Sequence, residues 1–137
     1  MNKIANFFKN AVIKFLKKKL SAQQPKHYYF YRWLVDLIED KQHLNDVCVG
    51  ISKWVLKSPS NAKFFIYIKD VFVLDNIVYI YTDQPGMLIG KAGCVYDEIK
   101  QEINHLNTNY TIFFIEMNNV SYTKILSYIK KYNAYQY

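Results

Sequence analysis

Apolar residues recur every three or four positions over residues 2–20, where Ile4, Phe7, Phe8, Ala11, Val12, Phe15 and Leu16 share a face and lysines mostly take the other. That period predicts an amphipathic basic helix. Ser21-Ala22-Gln23-Gln24-Pro25 ends it. A second helix is predicted from about Pro25 to Glu39, with Phe30, Trp33, Leu34, Leu37 and Ile38 on its apolar face. A third runs from about Lys41 to Leu56, striped by Leu44, Val47, Cys48, Ile51 and Val55. Ser58-Pro59-Ser60-Asn61 breaks the helical pattern. From Lys63 to Thr82 the chain is rich in Phe, Ile, Val and Tyr, which predicts strands over 63–74 and 77–82 joined by a turn at Asp75-Asn76. A helix over 94–107 (Val95, Ile99, Ile103, Leu106), a strand over 110–117 and a last helix over about 121–133 (Tyr122, Ile125, Leu126, Ile129, Tyr132) complete the pattern. There is no internal repeat.

Between the second strand and the helix after it the polar pattern is interrupted by Pro85-Gly86, a short apolar turn and Gly90-Lys91-Ala92-Gly93. Two glycines bracketing a two-residue linker let the backbone come close to a phosphodiester chain, because no Cβ stands in the way. The helix that follows brings its free N–H groups and positive dipole end beside the loop. Lys91 adds a mobile cation. A Gly-x-x-Gly loop in this setting is how KH domains grip about four nucleotides of a single strand. The loop is not a Walker A motif: Pro85 stands where that motif needs its first glycine, and Ala92 where it needs Ser or Thr.

Charge points the same way. Eighteen basic and eleven acidic residues give +7 in 137 residues, which favours a polyanionic partner, nucleic acid or an anionic membrane surface. Lysines 3, 9, 14, 17, 18 and 19 crowd the first nineteen residues, and Lys124, Lys130 and Lys131 form a second cluster. Seventeen lysines against the single Arg32, with 13 Tyr, 9 Phe, 4 Gly and 3 Pro, are the skew of an A/T-rich gene, as in an organelle or a reduced genome. Cys48 and Cys94 have no metal-ligand spacing and read as ordinary thiols. His27, His43 and His105 are scattered, so no metal or cofactor is expected. Asp97, Glu98 and Glu102 fall on an outward helix face without a His or nucleophile, which reads as solvated surface and not as catalytic machinery. Tyr79 and Tyr81 lie on one side of their strand, where core packing outweighs base stacking. No enzyme is expected.

Several segments together resemble a known family. Thr82-Asp83-Gln84-Pro85-Gly86-Met87-Leu88-Ile89-Gly90-Lys91-Ala92-Gly93 is similar to the Thr-Ala-Arg-Pro-Gly-x-x-Ile-Gly-Lys-x-Gly run of small-subunit ribosomal protein S-three. Leu37-Ile38-Glu39-Asp40-Lys41-Gln42-His43-Leu44 resembles the segment before that family's KH domain, and Ile115-Glu116-Met117-Asn118-Asn119 its exit into a linker helix. The resemblance covers roughly residues 28–130. It implies an α+β, type II KH fold (α-β-β-α-α-β), a three-stranded mixed sheet with helices on one face, extended here by N-terminal helices and a C-terminal helix. The expected division is a basic extension over 1–24, the KH domain with its preceding helices over 25–119, and a linker helix and tail over 120–137. The implied role is structural, in the head of the small ribosomal subunit, with rRNA and neighbouring head proteins as partners and mRNA close by where it enters. Expected RNA contacts are Gly90, Lys91, Ala92, Gly93 and Gln84, with Lys17, Lys18, Lys19, Lys124, Lys130 and Lys131.

The chain departs from the family in three places. Asp83-Gln84 replaces Ala-Arg, the lysine helix replaces a short extended start, and Tyr137 falls where the family would begin a second domain. With the A/T skew, these suggest a split version encoded in a mitochondrion, with the C-terminal domain on a separate chain. A stand-alone KH chaperone of RNA, and a membrane-surface protein using residues 2–20, are the alternatives.

Overall fold

The structure, a computed structural model, describes residues 3–21, 27–104 and 109–117. Its elements are α1 (Lys3–Ser21), α2 (Tyr28–Ile38), α3 (Lys41–Lys57), α4 (Pro59–Phe65), β1 (Ile68–Leu74), β2 (Ile77–Thr82), α5 (Pro85–Ile89), a 3-10 turn (Lys91–Gly93), α6 (Cys94–Ile103) and β3 (Thr111–Glu116). The helix expected over 121–133, with Lys124, Lys130 and Lys131, lies outside the described residues, as does Leu106.

Local chemistry sets most boundaries. Asp40 caps α3, its carboxylate accepting the N–H groups of Gln42 and His43 at 2.9 and 3.4 Å. Ser58 does not simply break the helical pattern. Its hydroxyl accepts the Ser60 N–H at 3.2 Å and Pro59 takes the first helical position, so a new helix starts at once and runs through Phe65. The strand expected from residue 63 therefore begins only at Ile68. At the far end, α6 stops at Ile103, where the Asn104 amide accepts the Tyr110 N–H at 2.6 Å and donates to its carbonyl at 3.2 Å. That clasp aims the chain into β3.

The sheet order is β1-β2-β3. Strands β1 and β2 pair antiparallel through the Asp75-Asn76 turn, where Asp75 takes φ 52°. Strand β3 runs parallel to β2, with Ile77 opposite Thr111 and Thr82 opposite Glu116. A parallel neighbour requires a crossover, and α5, the loop and α6 supply it.

Side chains alternate across the sheet and feed two cores. Phe72, Leu74, Tyr79, Tyr81, Ile115 and Met117 pack under α1 and α2. Val73, Val78, Ile80 and Ile112 pack under α3, α5 and α6, with Trp54, Leu88, Val95 and Ile99. Helices on one face describe only α3–α6; α1 and α2 cover the other. Against Gly50 of α3, α6 comes so close that a Cβ would lie 2.9 Å from the Ile103 Cα.

The apolar stripes expected on α1 and α2 are only partly the buried ones: Leu16 is in the core and Val12, Leu34 and Ile38 pack against it. In α2 the core receives Tyr28, Tyr31 and Val35, while Phe30, Trp33 and Leu37 face outward. The helix is apolar nearly all round, so periodicity cannot choose its inner side. The polar partners do: Tyr28 donates its hydroxyl to Asp70, and Arg32 donates to Asp70 at 3.0 Å. In α1, Ile13, Leu16 and Leu20 are buried while Phe7, Phe8 and Phe15 are exposed.

Candidate nucleic-acid interface

The loop is built by Pro85 opening α5 directly after β2. Gln84 caps that helix through its main chain, its carbonyl accepting the Met87 N–H at 3.0 Å, while its exposed side chain makes no capping bond. Gly90 closes α5 with φ 76° and ψ 177°. Its N–H reaches the Gly86 carbonyl at 3.0 Å, and the Gly93 N–H returns to the Gly90 carbonyl at 3.2 Å. Ala92 and Gly93 also take positive φ, 55° and 77°. The two glycines serve different ends. A Cβ on Gly90 would lie 2.5 Å from Val95 Cγ2, so the loop is pressed onto α6; at Gly93 the surrounding space is open and only the left-handed backbone favours glycine.

Lys91 and Ala92 are exposed, and α6 begins without a side-chain cap. No side chain competes for its first N–H groups, although the Cys94 N–H is already donated to the Lys91 carbonyl. Beside the loop lies a cleft of about 760 Å³ walled by Ser60 and Phe64 of α4, Met87 of α5, and Lys91, Glu98 and Gln101. The α4 wall is the part sequence reasoning missed; its signal was Ser58-Pro59, a cap followed by proline at the first helical position. Electrostatically the cleft is mixed. Lys57 is held by Glu102, and Glu98 accepts the Trp54 indole N–H at 3.3 Å. These two acids tie α6 to α3, so they are less free than the solvated face expected of them.

The lysines of α1 are not brought to this loop. They belong to the layer on the other face of the sheet, and each is placed differently. Lys17 pairs with Asp75 at 2.9 Å, Lys19 lies over the Phe15 ring at 5.9 Å, and Lys18 is exposed. Tyr79 and Tyr81 are fully buried, Tyr79 hydrogen-bonding Ser21 at 3.2 Å, so neither offers a face to a base. Burial raises the proton affinity of both phenols. Cys48 and Cys94 are free and exposed, and burial of the Cys48 sulfur still pushes its pKa up. His43 shares a 2.7 Å hydrogen bond with Tyr110. Among the described residues no group of three or more His, Cys, Asp or Glu could hold a metal ion.

Compared with family models, curated proteins and solved structures, the chain has no significant match.

Proposed function

We propose that the chain is a non-enzymatic RNA-binding protein of type II KH fold, a structural constituent of the small ribosomal subunit whose Gly90–Gly93 loop grips rRNA. One observation carries the reading. An exposed Gly-Lys-Ala-Gly turn with both glycines at positive φ joins two helices that cross between parallel strands, behind an α-β-β lead-in. Together with the Thr82–Gly93 resemblance to ribosomal protein S-three, that order supports reading the loop as a KH-type presentation of backbone to a single strand. Gly90 and Gly93 let phosphates approach, Lys91 supplies a cation, and the uncapped start of α6 faces the same edge. The Lys91 term is sequence-blind and salt-sensitive, one contact among many in an extended interface. Asp83-Gln84 leaves the loop with fewer cations than the family run.

Partners on this reading are rRNA and neighbouring head proteins, in a mitochondrion. Sedimentation of native extract tests it. Co-migration with small subunits through high salt is expected, whereas a free pool that binds isolated RNA would make the chain a stand-alone chaperone.

A further inference from the structure

The outer surface of the α1–α2 layer carries an apolar stripe that none of the described residues covers. Phe15, Phe30, Trp33 and Leu37 are 41%, 50%, 55% and 63% exposed. They are continuous: the Phe15 and Phe30 rings lie 6.4 Å apart and the Phe30 and Trp33 rings 6.3 Å. Phe7 and Phe8 extend α1's exposed aromatic set toward its N-terminal end. Contiguous exposed apolar residues of this kind often mark an interaction site.

Charge defines its surroundings. Residues 1–35 hold eight basic side chains and no acidic one, whereas 36–137 hold ten basic and eleven acidic. The positive character of the chain is thus concentrated in the first 35 residues of its sequence, and the rest is close to neutral. The first acid, Asp36, is taken up by Arg32 at 2.7 Å, and Arg32 turns inward to Asp70. Lys14 and Lys18 stay exposed on α1, and Lys19 flanks the Phe15 ring.

We propose that this face adsorbs to an anionic lipid bilayer, with Phe15, Phe30, Trp33 and Leu37 entering the boundary between headgroups and acyl chains and Lys14, Lys18 and Lys19 meeting the anionic headgroups. Aromatic rings, above all Trp, sit well at that boundary, and a lysine rim adds attraction to acidic lipid. RNA fits the face less well, because an aliphatic group such as Leu37 neither stacks on bases nor bonds phosphate. A second copy fits less well again, because two lysine-rich faces repel. Among the described residues no helix is long and apolar enough to cross a membrane, so the mode is adsorption. The face looks away from the Gly90–Gly93 loop, across the sheet, so both can be engaged together.

Vesicle flotation of the full chain tests this. Vesicles of equimolar phosphatidylcholine and phosphatidylserine should carry it upward, and phosphatidylcholine alone or high salt should not. Trp33 emission should shift to the blue, since Trp54 is already buried. Trp33→Ala with Leu37→Ala should weaken partitioning about ten-fold or more. Lys14→Gln, Lys18→Gln and Lys19→Gln should each weaken it about five-fold. Every one of these positions is on the surface, and unchanged circular dichroism verifies the fold. Should the apolar double variant fail to fold, the lysine variants carry the test. No flotation, or flotation indifferent to both sets of variants, overturns the proposal. So does finding that the same variants abolish single-stranded RNA binding or a concentration-dependent dimer while vesicles are ignored.

Discussion

The carboxylate of Glu39, the residue that ends α2, accepts the main-chain N–H of Val73 near the end of the sheet's outer strand β1 at 2.9 Å. Val73 and Val71 turn their backbone groups away from β2, toward the open edge of β1. Arg32 donates to the Val71 carbonyl at 3.4 Å, and Asp70 accepts the Val71 N–H at 2.8 Å. Arg32, Glu39 and the strand's own Asp70 thus occupy, at Val71 and Val73, part of an edge that would otherwise template another strand. Glu39→Ala leaves a buried N–H unpaired and removes an acceptor from Arg32, 3.4 Å from it. A loss of about 2–4 kcal/mol in urea unfolding is expected.

Glu39 also sets a pH dependence. Burial raises its pKa, and neither the Val73 N–H nor Arg32 fully offsets that. A carboxyl that holds its proton more tightly folded than unfolded contributes stability fully below its unfolded pKa, near about 4.3, and loses it as pH rises through the higher folded value. The melting temperature of the protein minus that of Glu39→Gln should therefore fall as pH rises across this window. A difference that grows with pH would mean the ion pair with Arg32 outweighs burial.

The loop glycines should separate in their costs. Gly90→Ala combines a positive φ with a Cβ 2.5 Å from Val95 Cγ2, for an expected loss of about 3 kcal/mol. Gly93→Ala meets open space and bears only backbone strain, about 1 kcal/mol. Adding Val95→Ala to Gly90→Ala should recover part of the loss, a coupling that a double-mutant cycle in denaturant reads directly.

Gly50 is a third glycine with a packing reason. Its missing side chain lets α3 meet α6 with a Cβ position 2.9 Å from Ile103 Cα and 3.0 Å from the Glu102 carbonyl. Backbone cannot step aside as a side-chain tip can. Gly50→Ala should cost about 2–3 kcal/mol despite its better helix propensity.

How far the sequence could be read depended on how one-sided each signal was. Strand β2 and the Asp75-Asn76 turn stood out because a run of β-branched and aromatic residues met clear turn chemistry. The Gly90–Gly93 loop stood out because glycine is scarce in this chain. Helix α4 was hidden by Ser58-Pro59, which punctuates a pattern equally well as a stop or a start; the Ser60 N–H on the Ser58 hydroxyl decides for a start. The inner face of α2 was hidden for a different reason. Where both sides are apolar, period alone has no preference, and Tyr28 goes inward because Asp70 is there to take its proton donor. The cleft wall at Ser60 and Phe64 followed α4 into obscurity, since it joins segments brought together only by packing.

The central claim is that the exposed Gly-Lys-Ala-Gly loop contacts nucleic acid, and charge reversal within it is the most direct measurement. Lys91→Asp with Ala92→Asp changes two exposed positions whose side chains build no core, so unfolding should be little altered. Binding of a single-stranded RNA, read by fluorescence anisotropy at low and high salt, should weaken about ten-fold, with a shallower salt dependence. Unchanged affinity and salt slope in the folded variant would contradict the account and leave the loop a turn between two helices.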